Sequence, residues 1–380
     1  MADAVRLTAM REFGQKFLTE DPRRLGYAIF LAGFGKHPGW DDHIEDIGIA
    51  TESLAIAKDL LYVEGIGGQI NTGAWDKLGP DQQLPAFKHV FVWQRSDQLL
   101  IGLVWSSVDG KGRTRYPMIA CAHCVGLSPQ RVMERVLPRL REVQRLCQAT
   151  KSPGDVREIF RRTQDDLRLQ CRRTPGEQPV PDLSSDERRR FLARPELGTD
   201  HEGLYRILYQ IHSQMKAYGP DRGTFRQPEL PPRQLRLPAC ANDPAQAILL
   251  WSRVFASQLS PAAPRLLMAP DGETWLDFIV GEPSSQECFC LRVSPKVLPL
   301  ASDVPYNLEP QFRQQTQGFI VAFEGGADLP KRRRGAGLWV ALVSLLVLVV
   351  ALVAAYPWLV QQWPELGENV NRLREMIGGR

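Results

Sequence analysis

The pattern of apolar and polar positions changes abruptly near the end of the chain. Residues 335–364 contain no Asp, Glu, Lys or Arg, and within residues 338–356 only Ser344 and Tyr356 are polar. At about 1.5 Å per residue, a helix over 338–356 is roughly 29 Å long, which matches a hydrocarbon core. A buried helix of a globular domain normally has a polar stripe, and this segment has none. The pattern predicts a single transmembrane helix, assigned to residues 335–362.

The charges beside this segment predict its orientation. Four basic residues immediately precede it, Lys331, Arg332, Arg333 and Arg334. Positive charge favours the cytoplasmic side of a membrane. We therefore expect a single-pass protein of a bacterial inner membrane, with the large N-terminal part cytoplasmic and the tail periplasmic. The tail, residues 363–380, places apolar residues on one face of a short amphipathic helix.

Apolar runs in the first 150 residues predict four strands. Residues 27–34 lead into a polar turn at 35–43, residues 87–94 and 99–108 form a hairpin, and 116–125 follow a second turn at 109–113. Helical spacing predicts helices over 51–61 and 128–147 and a short one over 5–18. The glycine-rich residues 65–73 are expected to be a loop.

In the middle of the chain, the strand-like apolar runs give way to Arg-rich helical segments, and strand-like runs return after them. Residues 151–236 are rich in Arg, and we expect helices at 154–170, 184–193 and 201–217 with exposed basic faces, followed by a proline-rich linker. After the linker, residues 243–257 predict a helix, and 265–268, 274–281 and 287–293 predict short strands. The sheet is therefore expected to resume after a helical insertion.

These elements predict an α/β fold of the α+β kind, with a largely antiparallel central sheet flanked by helices. The expected organisation is an N-terminal extension (1–25), an α/β part (26–150), an Arg-rich helical insertion and linker (151–236), the completion of the α/β domain (237–300), a juxtamembrane linker (301–334), the transmembrane helix (335–362) and the tail (363–380).

Composition narrows the class of protein. With 47 basic and 43 acidic residues, the overall charge does not call for a nucleic-acid partner. The N-terminal 24 residues have no apolar core of a secretory signal. Seven dispersed cysteines are typical of a reducing compartment rather than of a disulfide framework.

Two residue clusters suggest metal chemistry. His37, Asp41, Asp42 and His43 follow a strand end and carry groups that bind metals or transfer protons. With Asp109, they are the basis of an alternative hypothesis, a metal-dependent hydrolase. Backbone hydrogen bonds that Asp41 or Asp42 accepts, and that stabilise the turn, explain the same residues more simply.

The second cluster has a similar simple explanation. Cys121, His123 and Cys124 have a zinc-like spacing that Cys288 and Cys290 could complete. However, residues 121 and 124 of a strand point to opposite faces, so we expect buried free cysteines. No nucleotide-binding or triad motif is present, and neither a cofactor nor an enzymatic activity is predicted.

The Arg-rich middle could cover an anionic lipid surface next to the basic cluster. Acidic residues are interleaved with the arginines, so solvated helix faces are the preferred interpretation. The residues concerned are Arg161, Arg162, Arg168, Arg172, Arg173, Arg188, Arg189 and Arg190.

Two short motifs resemble the TagF/ImpM family of type VI secretion-associated proteins. The first is the Gly-Phe-Gly-Lys-His-Pro sequence of residues 33–38, followed by Asp42. The second runs from Asp109 to Met118 and includes Arg113 and Pro117. The resemblance covers residues 26–148 well and 237–300 loosely. The Arg-rich middle and the C-terminal span are not usual parts of that family.

This resemblance implies a non-enzymatic accessory or regulatory protein that binds secretion components, including forkhead-associated-domain proteins. The fixed turn would present Lys36, Trp40 and Asp42 as a rigid recognition edge. The candidate partner-binding residues are Gly35, Lys36, Pro38, Trp40, Asp42, Asp109, Gly112, Arg113 and Pro117. A general membrane scaffold that binds a small GTPase or another signalling partner is the remaining alternative.

Overall fold

The computed structural model describes residues 28–95, 98–172, 183–219, 230–256, 258–260 and 262–325. The expected transmembrane helix, its basic cluster at 331–334, the tail and the N-terminal extension lie outside these residues. Among the helices that are described, none is long and apolar enough to cross a membrane.

Seven strands form one sheet in which every neighbouring pair is antiparallel. Their order across the sheet is β1-β4-β3-β2-β6-β7-β5. The strands are β1 (Ala28–Gly35), β2 (Lys88–Arg95), β3 (Gln98–Ser106), β4 (Pro117–Val125), β5 (Arg233–Pro238), β6 (Arg265–Pro270) and β7 (Trp275–Val280). The predicted antiparallel sheet and the predicted resumption after a helical insertion are both confirmed.

In the part of the chain that the structure describes, seven helices other than short 3-10 turns flank the sheet. The first, α1, begins as Glu52–Ala57, continues with π-helical turns over Lys58–Ile66 and ends as Gly67–Asn71. The second, α2, runs through Pro129–Arg131, a π-helical Val132–Val136 and Leu137–Ala149. The others are α3 (Pro153–Arg172), α4 (Ser185–Leu192), α5 (Glu202–Gln214), α6 (Pro244–Val254) and α7 (Pro310–Glu324).

The two faces of the sheet carry separate cores because successive strand residues point to opposite sides. On one face, side chains of β2 such as Val90 and Val92 pack with residues of α2 to α7. On the other face, Phe91 and Trp93 pack with α1 and with the segment around Cys288. Cys121 lies in the second core and Cys124 in the first, as strand geometry predicted.

The outer edge of β1 is covered at Ile29, Leu31 and Gly33. The amide of Gln164 on α3 donates to Ile29 O at 2.8 Å and accepts from Leu31 N at 2.6 Å, like a neighbouring strand. Gly33 exchanges two backbone hydrogen bonds with Ile47 at 2.9 and 3.0 Å. Helix α3 from the Arg-rich middle therefore completes the sheet, and it removes an edge at which strands of other chains could add.

Residues 287–293 were expected to be a strand, and that prediction is wrong. Glu287–Arg292 is a 3-10 helix that lies across the second face. Arg236 on β5 is fully buried, forms a bidentate ion pair with Asp277, and donates to the carbonyl oxygens of Cys290 and Val293 at 3.2 and 2.8 Å. The two carbonyl groups therefore accept hydrogen bonds from a guanidinium group, and not from the backbone N–H groups of a neighbouring strand.

The expected loop at 65–73 is also wrong, because α1 continues to Asn71. A Cβ atom on Gly65 would lie 2.5 Å from the Cys288 sulfur, so glycine is needed there for close packing rather than for a turn.

Two elements fall where no periodic structure was expected. Strand β5 begins at Arg233, inside the segment taken as the proline-rich linker. Helix α7 lies in the segment assigned to a juxtamembrane linker, where Thr316, Ile320 and Phe323 form its buried face.

Candidate functional site

The two turns that carry the family resemblance meet in space. Lys36 N donates to Pro117 O at 3.0 Å, and Gly110 N donates to Trp40 O at 2.6 Å. Gly35 has a φ of +118°, and a Cβ atom there would lie 2.4 Å from Pro117 O. Only glycine fits at this contact, because both the backbone conformation and the space exclude a side chain. The antiparallel register of β1 and β4 places the turns side by side.

Lys36 and Asp109 form the interior of this contact. The Lys36 ammonium group lies 3.0 Å from Asp109 Oδ2, with the two side chains 4% and 0% exposed. Asp109 Oδ1 also accepts the backbone N–H groups of Lys111 and Arg113, each at 3.0 Å. Burial opposes ionisation of Asp109, but hydrogen bonds from Arg113 and Lys36 outweigh it and hold its pKa well below the usual range.

Arg113 and Asp42 extend this network to the surface. Arg113 Nε donates to Asp109 Oδ2 at 2.6 Å, and an NH2 group of Arg113 lies 3.2 Å from Asp42 Oδ1. Asp42 also accepts a hydrogen bond from Lys36, which lowers the pKa of Asp42. The side chains of Asp42 and Arg113 are 67% and 52% exposed. We call Lys36, Asp42, Asp109 and Arg113 the charge cluster.

An aromatic wall lies beside the charge cluster. His43 Nδ1 and the Tyr62 hydroxyl are 2.8 Å apart, and Tyr116 packs edge-on against His43 with ring centroids 5.2 Å apart. The Lys36 ammonium lies 5.9 Å from the centre of the Tyr116 ring. Burial, with the nearby charge of Lys36, lowers the pKa of His43. The wall therefore favours the neutral form of a half-exposed imidazole.

His37 and Trp40 fix the other side of the first turn. His37 Nδ1 accepts from Gly39 N at 3.0 Å, and Nε2 lies 2.9 Å from Cys147 O, which requires Nε2 to carry the proton. Trp40 packs against the core and lies under the Arg157 guanidinium group at 5.5 Å. Both ring nitrogens of His37 are thus used within the fold.

Of the nine residues predicted for partner binding, five are at least partly exposed to solvent and four are buried. Asp42, Gly112 and Arg113 are exposed, and Pro38 and Trp40 are partly exposed. The other four are buried, namely Gly35, Lys36, Asp109 and Pro117. The expectation that Lys36 is presented as part of a recognition edge is wrong, because the buried Asp109 carboxylate draws its ammonium group inward.

No model of a known protein family matches this chain, and a search of curated proteins finds no match. The likeness to the TagF/ImpM family therefore depends on the two turn motifs.

The metal-site hypotheses find little support in the geometry. Within the described residues, no group of three or more His, Cys, Asp or Glu side chains could hold a metal ion. The Asp42 carboxylate binds Lys36 and Arg113, and both ring nitrogens of His37 have partners. Cys121, Cys124, Cys288 and Cys290 are buried, and Cys121 and Cys124 lie on opposite faces of the sheet.

Three of the eight arginines predicted to form basic faces are paired with carboxylates at the surface. Arg161 and Arg162 bind Glu158, and Arg189 binds Asp186. Arg188 differs from the expected exposed position: it is buried and donates to Leu183 O at 2.8 Å and Phe323 O at 3.2 Å. Arg172 and Arg173 lie where no side chain is described.

Tyr62, Tyr116 and Arg157 were not predicted as parts of this site. Tyr116 directly precedes Pro117, so the second motif already includes its position. Tyr62 lies on α1, one residue beyond the helix predicted over 51–61, and Arg157 lies on α3. No spacing in the sequence connects either of them with residues 36–43.

Proposed function

We propose that this protein is a membrane-anchored, TagF-like accessory or regulatory component of a type VI secretion system that acts by binding other proteins. One observation carries the proposal: two motifs about 70 residues apart in sequence, each resembling the family, form one charge cluster through direct ion pairs. A shared surface explains why both motifs occur in the same chain.

The charge cluster has the properties of a protein-recognition surface. Its buried half, Lys36 and Asp109, holds the backbone of both turns in place, while Asp42 and Arg113 offer a carboxylate and a guanidinium group to solvent. Such preorganised charges favour specific encounter with a partner of complementary charge. The expected partners are secretion-system components, including a protein with a forkhead-associated domain.

The proposal is tested by affinity purification of the full-length chain from the cell membrane fraction. Wild type should recover secretion-system proteins, and the Asp42→Ala/Arg113→Ala double variant should recover about tenfold less, since charge-assisted hydrogen bonds of the interface are lost. The control is Asp81→Ala/Lys296→Ala, which removes an ion pair between two exposed side chains elsewhere.

Two results would contradict the proposal. One is wild-type recovery of no secretion component. The other is equal recovery by the charge-cluster variant and the control. Recovery of a GTPase or another unrelated partner that depends on Asp42 and Arg113 would instead favour the general scaffold.

Membrane anchoring by residues 335–362 is part of the proposal and has a separate test. The full-length protein should sediment with membranes, and a tag placed before Lys331 should be protected from periplasmic protease. Protein that stays in the supernatant after ultracentrifugation, or a tag that is cleaved, would disprove the proposed topology.

A further inference from the structure

A polar cleft of about 460 Å³ lies next to the second turn. It is bounded by the end of α1 and the following residues, the segment before β2, the end of β3 and the turn before β4. Its volume is within the range of small-ligand sites. The polar side chains that line it include Asp76, Ser106, Ser107, Thr114, Arg115 and Arg292.

Arg292 is held rigidly at this cleft. Its Nε donates to Leu84 O at 2.9 Å, Leu84 N donates back to Arg292 O at 3.0 Å, and the guanidinium group lies 5.0 Å from the centre of the Phe87 ring. Burial lowers the pKa of Arg292. Its two terminal nitrogens make no hydrogen bond with any residue that the structure describes.

The rest of the cleft supplies further donors. Arg115 forms an exposed ion pair with Asp76. The hydroxyl groups of Ser107 and Thr114 bind no other described residue. Ser106 Oγ accepts from Phe87 N at 2.9 Å, which leaves its own proton free to donate. Two guanidinium groups and three hydroxyl groups thus line one cleft that contains a single carboxylate.

We propose that this cleft binds a phosphate monoester through Arg292, Arg115 and the hydroxyl groups of Ser106, Ser107 and Thr114. The three terminal oxygens of a phosphate monoester accept more hydrogen bonds than a carboxylate does, and guanidinium groups bind them in a bidentate manner. Without the ligand, the Asp76 carboxylate forms an ion pair with Arg115. The phosphate group takes the place of this carboxylate when it binds. The site is separate from the charge cluster and does not depend on the proposed secretion function.

The test is calorimetric titration of the purified full-length chain with phenyl phosphate. We expect saturable binding with one site per chain. Arg292→Gln and Arg115→Gln should each weaken binding about tenfold or more, since each removes charge-assisted hydrogen bonds. Arg145→Gln is the matched control, because Arg145 is exposed and paired with Glu142 on α2; it should bind like wild type.

The Asp76→Asn variant should change the affinity for phenyl phosphate in the opposite direction from the two Arg variants. This change removes the carboxylate that competes for Arg115, so it should strengthen binding severalfold. A merely structural role of the Arg115–Asp76 pair would weaken binding in both variants. Circular dichroism of each variant checks that the chain is folded.

Inorganic phosphate and a phosphothreonine peptide distinguish the sources of the phosphate group. Tighter binding of phenyl phosphate or of the peptide than of inorganic phosphate, with loss in Arg292→Gln, supports the proposal and identifies the source as a small ester or a protein side chain. Equal, non-saturating heats with sulfate and phosphate, or affinity unchanged in both Arg variants, would overturn it.

Discussion

The ammonium group of Lys36 lies 3.0 Å from Oδ2 of Asp109, and both side chains are almost fully shielded from solvent. Removing one member of a buried ion pair leaves the other charge without its counter-ion. We therefore expect Lys36→Met to lower the melting temperature by more than about 5 °C. Lys296→Met breaks the exposed ion pair with Asp81 and should change the melting temperature by less than about 2 °C. Equal shifts in thermal unfolding would show that the Lys36 pair has no special role in stability.

Two glycines of the turns should respond differently to Ala. At Gly35, a Cβ atom would meet Pro117 O at 2.4 Å, whereas at Gly112 nothing lies within 4 Å, although both have positive φ. Gly112→Ala should therefore cost only the conformational strain, about 1 kcal/mol. Gly35→Ala should cost at least twice as much and should separate the two turns. Urea denaturation measures both, and similar losses would contradict the close contact.

Gln164 should be needed to protect the edge of β1. Gln164→Leu leaves Ile29 O and Leu31 N without their partner, which should cost about 1–3 kcal/mol. The exposed edge should also increase self-association. Chemical denaturation and analytical ultracentrifugation measure these effects. Gln315→Leu, at an exposed position of α7, is the control; an equal tendency to associate in both variants would argue against edge protection.

Three histidines with pKa values lowered by burial, His37, His43 and His89, should make the stability of the fold depend on pH, and the share of His43 can be tested by substitution. Burial and the nearby Lys36 lower the pKa of His43 in the folded state, so folding favours the neutral imidazole. The contribution of neutral His43 to the free energy of unfolding is complete above the pKa of about 6.5 that His has in the unfolded chain. This contribution is lost as the pH falls through the lower pKa of His43 in the folded state.

His43→Gln should therefore flatten the decrease in the urea midpoint between about pH 7.5 and 5.5. His212→Gln, at an exposed position, should retain that decrease. Identical pH profiles of the two variants would exclude His43 as the source.

Much of the sheet could be predicted from local patterns. Strands β1 to β4 are continuous apolar runs bounded by turns, and their predicted limits lie within a few residues of the observed ones. Strand β5 was missed because prolines flank it. The stretch after Glu287 was misassigned because its apolar residues resemble a strand, whereas its conformation depends on the distant Arg236.

The site was only partly predictable. Each turn was identifiable from its glycines and charges, but their contact depends on the pairing of β1 with β4. Charge alone suggested that Lys36 is exposed. Its burial becomes evident only when the partner, Asp109, is placed beside it by that pairing.

The position of β2 in the sheet has a consequence for synthesis of the protein. One side of β2 pairs with β3 at once, but the other awaits β6, which begins at Arg265, about 170 residues after β2 ends at Arg95. At roughly 5–20 residues per second, a ribosome needs about 10–30 s to make that stretch. During this time one edge of β2 has no partner strand, and Phe91 and Trp93 lack the neighbouring side chains that β6 supplies, so this edge is prone to pair with other chains until β6 is made.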